Sequence, residues 1–355
     1  MSTNIDGTQP IRLGEELNLL ALESYLRSHF EGLDSPLNVV QFSGGSSNLT
    51  YLIRAGTFEA VLRRPPFGNQ VKSAHDMGRE FRVLSKLNDV YEPAPRPLTY
   101  CEDEQILGAP FYLMEFRPGL ILRQELPPGF SLDPRTVSQL CKSFVDNLVR
   151  LHRVDYRAAG LEDLGRPIGY VSRQVEGWAK RYTSAMTDAA PDLSEIVHWL
   201  NERLPPENNA SLIHNDYKYD NLILDPKNVT NIIGVLDWEM CTIGDPLMDL
   251  GTSLAYWVEA NDSGLRLANA TGPTALPGSL TRREIAERYA GQTGQDISNM
   301  SFYYCFGLFK LAVIVQQIYA RYVQGHTRDE RFSRLDQWVE VLAQTATKVV
   351  KTNEY

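Results

Sequence analysis

Cysteine is scarce in this chain: four in 355 residues, Cys101, Cys141, Cys241 and Cys305, far apart and with no CxxC pair. That spacing argues against a zinc ribbon or a thioredoxin-type motif and predicts free, reduced thiols. A basic excess is lacking too. At a net charge of -9 the chain has no cationic stripe to displace counterions from a phosphate backbone, so no nucleic-acid partner is expected. The opening residues show no basic run followed by an apolar one, so no secretory signal is read there. The most apolar later stretch, residues 306–323, is interrupted by Lys310, Gln316, Gln317 and Arg321, and reads as too short and too polar to span a membrane. Repeats and low-complexity tracts are also missing. What remains is a chain of ordinary composition, 43% hydrophobic and 22% charged, with the length for two substantial cores and a cytoplasmic location as the expectation.

Hydrophobic periodicity divides it. Leu19, Leu22, Leu26 and Phe30 recur at helical spacing, and Gly32 stops the helix. Residues 38–42, 49–55 and 58–64 then read as strands, joined by a loop of small residues and a turn at Gly56. Met77, Phe81, Leu84 and Leu87 mark a second helix, and two more strand-like runs follow a proline-rich connection. A small, mainly antiparallel sheet carrying one or two helices is expected. The boundary is placed in the proline- and glycine-bearing stretch 117–134, giving domains of residues 1–116 and 117–355. The second is mainly helical, beginning with the face of Val137, Leu140, Phe144, Leu148 and Leu151, and embeds one short hairpin.

The chemistry concentrates in residues 213–249, IHNDYKYDNLILDPKNVTNIIGVLDWEMCTIGDPLMD. Asp216, Asn221 five residues on, and Asp237 beyond two apolar runs are the residue types that phosphoryl transfer from Mg-ATP needs. One carboxylate faces the acceptor hydroxyl, while an amide oxygen and a second carboxylate hold the metal. Two strands folded back across the turn residues 225–228 would return Asp237 towards Asn221. Magnesium suits such a pair, because it takes one or two protein oxygens and completes its shell with phosphates and water. His214 is expected to pack within the loop and orient Asp216. His152 reads as a structural histidine, and Asp245 and Asp249 as cap or buttress residues for the following helix. In the first domain, the loop Ser43, Gly44, Gly45, Ser46, Ser47 and Asn48 would let backbone N–H groups approach a phosphate. Arg63, at the end of the next strand but one, is set to pair with Glu80 and reach nucleotide phosphates.

Three segments carry a likeness: VLRRPP (61–66), HNDYKYDNL (214–222) and VLDWEMCTIGDPLMDLG (235–251). With them the chain resembles the aminoglycoside phosphotransferase family of kinase-like small-molecule phosphotransferases, especially the domains fused to acyl-CoA dehydrogenases, over residues 38–323. The resemblance implies an α+β, bilobal protein-kinase-like fold, with a small N-lobe bearing an antiparallel sheet and a larger, mainly helical C-lobe. It implies Asp216 as catalytic base, Asn221 and Asp237 as Mg2+ ligands, Arg63 and Glu80 as the phosphate-positioning pair, and backbone around Glu115 and Phe116 facing adenine. The implied partners are ATP, or GTP, and a small hydroxyl-bearing acceptor such as a hydroxyacyl compound. Residues 170–183 and 302–322 are expected to build the acceptor pocket, where Arg173, Lys180 and Arg181 suit an anion.

The chain departs from the broader kinase pattern at three points. Arginine replaces lysine at position 63, which keeps charge but changes reach. DWE stands in place of DFG. Only eleven residues separate Asp237 from Asp249, too few for a long activation segment, which argues against a protein kinase. The rival reading is a nucleotide- or metabolite-binding pseudokinase, supported by the substituted lysine.

Overall fold

The structure is a computed structural model that describes residues 7–42, 48–67, 76–127, 129–207, 210–327 and 329–355. The chain divides into two compact units, residues 1–120 with 222–239, and residues 121–221 with 240–355.

The first unit is built on a six-stranded sheet of β1 (Thr8–Gln9), β2 (Asn38–Phe42), β3 (Leu49–Ala55), β4 (Phe58–Arg64), β5 (Pro97–Cys101) and β6 (Phe111–Glu115). Every pairing is antiparallel, in the order β1-β2-β3-β4-β6-β5. Helix α1 (Leu19–His29) starts at Asn18, whose side chain accepts the Ala21 N–H, and buries Leu22 and Leu26. These leucines pack with Leu49, Tyr51, Ile53, Ala60, Leu62 and Phe111 in one core. Because side chains alternate along a strand, Ala60 and Leu62 facing that core send Arg63 to the opposite face. There it meets α2 (Met77–Leu87), which is capped by Asp76 and has Glu80 among its buried residues. A short α3 (Glu104–Leu107) precedes β6.

The hairpin read from sequence forms between strands Leu222–Asp225 and Asn228–Val235, with Leu222 opposite Val235 and Asp225 opposite Asn228. Its tight turn is fixed by the Lys227 N–H bonding to the Asp225 side chain. The hairpin belongs with the sheet, and the reason is a set of long-range bonds. Arg117 donates to the carbonyls of Glu92, Ala94 and Ile233, and the Val235 N–H donates to the Pro93 carbonyl. Leu120 and Leu224 exchange both backbone hydrogen bonds, at 2.9 and 2.8 Å. Gly119 permits the approach, since a Cβ there would stand 2.2 Å from the Ile223 side chain. Residues 117–120, where the sequence placed a boundary, are therefore tied into the first unit.

The second unit contains α4 (Pro134–His152), α5 (Tyr170–Ser184), α6 (Ser194–Glu202), α7 (Pro246–Tyr256), α8 (Gly264–Ala268), α9 (Arg282–Thr293), α10 (Met300–Val323) and α11 (Leu335–Thr352). Strands Ser211–Ile213 and Thr242–Gly244 pair antiparallel among them. The apolar stretch judged too short to span a membrane proves longer, because α10 begins at Met300 and runs for 24 residues. By length and composition alone it could cross a bilayer, yet 83% of its most apolar window is buried inside the fold, so here it is a core helix. All four cysteines are free and buried, as expected.

Helices α7 and α10 cross at two glycines. A Cβ on Gly251 would lie 2.3 Å from the Tyr303 carbonyl oxygen, and one on Gly307 would lie 2.3 Å from the Gly251 carbonyl oxygen. Backbone cannot yield as a side-chain tip can. Gly251→Ala is expected to destabilise the protein by about 1–3 kcal/mol through overpacking, read as a lower urea midpoint with an unchanged slope.

Candidate active site

Two groups of candidate side chains stand out, one in each unit. In the second unit, strand Ser211–Ile213 delivers the chain into a loop whose residues alternate. Tyr217 and Tyr219 point inward: the Tyr217 hydroxyl donates to the Phe144 carbonyl and accepts from Asn147, while the Tyr219 ring packs on Phe144 and Trp257. Asp216 and Lys218 fall between these anchors and remain partly exposed, at 14% and 18% of their side-chain surface. The anchors thus decide which way the acidic side chain faces.

The start of the loop is held from α7. Asp245 caps that helix by accepting the Leu247 N–H, and Asp249 in its first turn accepts the His214 and Asn215 N–H groups, each at 2.7 Å. His152 Nε2 lies 3.1 Å from the same carboxylate, and its Nδ1 lies 2.7 Å from the Tyr289 hydroxyl. An ionised carboxylate only accepts, so the His152 proton sits on Nε2 towards Asp249. Burial would raise the Asp249 pKa, but His152 and the loop amides hold it below the ordinary value. The cap, buttress and structural-histidine roles expected for Asp245, Asp249 and His152 are those observed.

Asp216 makes three further contacts. Its N–H donates to His214 Nδ1 at 3.2 Å, the orienting role expected for that histidine. Lys218 Nζ bonds both carboxylate oxygens, at 3.0 and 2.8 Å. Asn221 Nδ2 donates to the Asp216 carbonyl and to its carboxylate, both at 2.9 Å. Two acceptors fix the amide's orientation and turn its nitrogen to Asp216, so Oδ1 is the end suited to a cation.

In the first unit, Arg63 gathers the acidic residues. Its Nη1 donates to Glu80 at 2.9 Å and its Nη2 to Asp237 at 3.0 Å, with Glu239 at 3.9 Å. The DWE segment is held further by the Trp238 N–H on Glu80, by Arg79 on the Glu239 carbonyl and by Asn48 on the Glu239 carboxylate. Burial pushes the Glu80 carboxyl up despite Arg63; burial would lower the arginine, yet Glu80 and Asp237 hold it well above its usual value. Asp237 is 31% exposed. Among the described residues no group of three or more His, Cys, Asp or Glu forms a ligand set. Magnesium needs only one or two protein oxygens, so the donor types of Asp237 and Asn221 fit that ion.

Gly44, Gly45, Ser46 and Ser47 lie outside the described residues. Glu115, ending β6, accepts from the Arg96 N–H and from Arg117, and its own N–H donates to the Arg96 carbonyl. Phe116 carries the Arg54 guanidinium over its ring. Arg173 donates to the carbonyls of Arg166 and Ile168 and so braces its own loop. Two recesses in the second unit share Tyr256 and Thr271, and α5 lines neither of them. Lys218 and Lys310 were not read as site residues; a lysine two positions after Asp216 was the available signal for the first.

Two of the three described non-glycine residues with positive φ are Asn215 (66°) and Asp237 (68°), each in one of these groups. Such backbone persists only where its surroundings enforce it.

Residues 38–285 match the model of a family described as "Phosphotransferase enzyme family". Acyl-CoA dehydrogenase family member 10 of Mus musculus is 35% identical over 348 residues, 96% of this chain and 32% of that protein. Acyl-CoA dehydrogenase family member 11 of Rattus norvegicus is 34% identical over 343 residues, 94% of this chain and 43% of that protein. The chain thus spans less than half the length of these relatives. A Ralstonia eutropha structure solved as a candidate aminoglycoside phosphotransferase superposes with a TM-score of 0.79 at 31% identity, covering 95% of this chain and 99% of its own. Choline kinase from Cryptosporidium parvum shares the fold at a TM-score of 0.61 and 13% identity, covering 94% and 96%. The α+β, protein-kinase-like fold expected from sequence is the one observed.

Removing Arg63 from its buried pair with Glu80 is expected to cost about 3–5 kcal/mol, because a buried carboxylate is left without its cation, and Glu80→Gln should cost less, since Arg63 keeps Asp237. Urea denaturation of Arg63→Met and Glu80→Gln checks this.

Proposed function

Since the chain belongs to the phosphotransferase enzyme family, we propose that it transfers the γ-phosphate of Mg-ATP to a hydroxyl group of a small molecule. The observation that carries this reading is the pair of hydrogen bonds that Asn221 Nδ2 donates to the Asp216 carbonyl and carboxylate, which joins the carboxylate suited to the acceptor with the amide suited to the metal. In the proposed reaction the acceptor oxygen bonds to the γ-phosphorus as the bond to the β-γ bridging oxygen breaks, and Asp216 takes the hydroxyl proton. Asn221 and Asp237 would hold Mg2+, which when bound offsets charge on the phosphates. Arg63 lends positive charge from its place between Glu80 and Asp237. The residues from Gly44 to Asn48 would approach the phosphates through backbone N–H groups. Phe116 and the Glu115 carbonyl would face the adenine, because the Glu115 N–H is already taken. Lys218, locked on Asp216 in the structure, is positioned to exchange that carboxylate for an incoming anionic group.

The acceptor class follows from likeness alone. The relatives are named as acyl-CoA dehydrogenases, which supports a hydroxyacyl compound as acceptor. Hygromycin B, present with AMP-PNP in a complex of aminoglycoside phosphotransferase APH(4)-Ia of the same fold, illustrates another hydroxyl-bearing class. We place the enzyme in the cytoplasm.

Calorimetric titration of ATP and GTP, with and without Mg2+, tests the nucleotide assignment. Magnesium-dependent binding is expected in the wild type and its loss in Asp237→Ala. Asp216→Asn should keep nucleotide affinity while turnover falls roughly 100- to 10,000-fold, the range for losing a general base. Nucleotide binding without transfer to water or any acceptor would turn the reading to a pseudokinase module.

A further inference from the structure

Lys310 places an ammonium group in the middle of α10, where it is 2% exposed. Packing alone would be met by an apolar side chain, without the penalty of burying a charge. Its Nζ donates to the Asn215 carbonyl at 2.7 Å and stands 5.8 Å from the Trp178 ring.

That carbonyl is one edge of the peptide plane joining Asn215 to Asp216. The opposite edge, the Asp216 N–H, donates to His214 Nδ1. The preceding plane is held as well, through the Asn215 N–H on Asp249. With both neighbouring planes tied, the φ and ψ of Asn215 are set, and φ is held at 66° in the left-handed region. Releasing the carbonyl would let Asn215 relax towards ordinary backbone and would swing the Asp216 side chain with it.

We propose that Lys310 is a positioning residue for phosphotransfer, latching the peptide bond ahead of Asp216 and so fixing the direction in which that carboxylate meets the acceptor. The inference rests on reading Asp216 as the base. The charged groups that bear on Nζ are Asp216 and Lys218 from the loop, Asp249 from α7 and Arg181 from α5. Burial pulls Lys310 down to about 8 while the two aspartates oppose the shift. The latch is therefore charged at neutral pH and loses its charge as the solution turns alkaline. A neutral amine still donates, but without the strength of a charge-assisted bond.

Two variants test the latch, with Mg-ATP hydrolysis by water as the turnover readout. In Lys310→Met, kcat is expected to fall roughly 100-fold, the scale of misplacing a catalytic group, with the KM for ATP nearly unchanged. Wild-type kcat should decline above a pH near 8; Lys310→Arg, which stays charged, should recover activity and lose that decline. Hydrogen exchange of residues 212–218 should accelerate in Lys310→Met at neutral pH and in the wild type above pH 8, after correction for the intrinsic pH dependence. A wild-type kcat in Lys310→Met, or an alkaline decline that persists in Lys310→Arg, overturns the proposal. If the wild type neither binds nor turns over nucleotide, the phosphotransferase reading fails instead. The latch is then judged by exchange alone, and unchanged exchange in Lys310→Met together with a pH-independent wild type overturns it. The wild-type pH series needs no variant, so a folding failure of Lys310→Met leaves that arm decisive.

Discussion

Asp249 is fully buried, and its carboxylate is the point to which the loop bearing Asp216 is referred. An isolated buried anion is costly, so it persists only when its oxygens are filled. Here the His214 and Asn215 amides and the His152 ring fill them. The bonds run both ways in consequence: the loop satisfies the carboxylate, and the carboxylate gives the loop one conformation. Tyr289 behind His152 and Tyr303 on Asp245 extend the arrangement into α9 and α10. A polar network of this kind, set in an apolar helical core, keeps a short loop in a backbone state that it would not choose alone.

The first unit meets the same need by different means. Asp237 also adopts left-handed backbone, and the segment around it is held by side chains arriving from a strand, a helix and the residue after the small-residue loop. Arg63 in place of the lysine of kinases makes this possible, since a guanidinium can reach Glu80 with one nitrogen and Asp237 with another. Trp238, where protein kinases have phenylalanine, is buried and edge-on to Tyr91, and its ring N–H donates to the Val235 carbonyl. So anchored, that side chain has a fixed place in the core.

The sequence made the helices and strands readable wherever a single period governed a whole element. Met77–Leu87 and the three strands ending at Arg64 appear as the pattern indicated, and so does the pairing of Arg63 with Glu80. Three matters were not legible, each for a physical reason. Residues 222–239 join the first unit through Arg117, Pro93 and Leu120, contacts more than 100 residues apart that leave no local trace. The apolar run of α10 was counted only from residue 306, so the apolar turns before it, from Met300, were left out when its length was set against a bilayer. Lys310 was taken as a polar interruption; only its fold-dependent neighbour, the Asn215 carbonyl, shows why a charge belongs there.

The way the hairpin is shared has a consequence for synthesis. The chain passes from one unit to the other three times, after residues 120, 221 and 239, so neither unit is a continuous segment. A ribosome releases the six strands of the sheet early, yet the bond from Arg117 to the Ile233 carbonyl and the bond from the Val235 N–H to the Pro93 carbonyl form only once residue 235 has emerged. Domains usually mature in order of translation. Here the earlier one waits for its last hairpin while residues 121–221 of its neighbour are made, so a chain cut between the two leaves the first unit without residues 222–239.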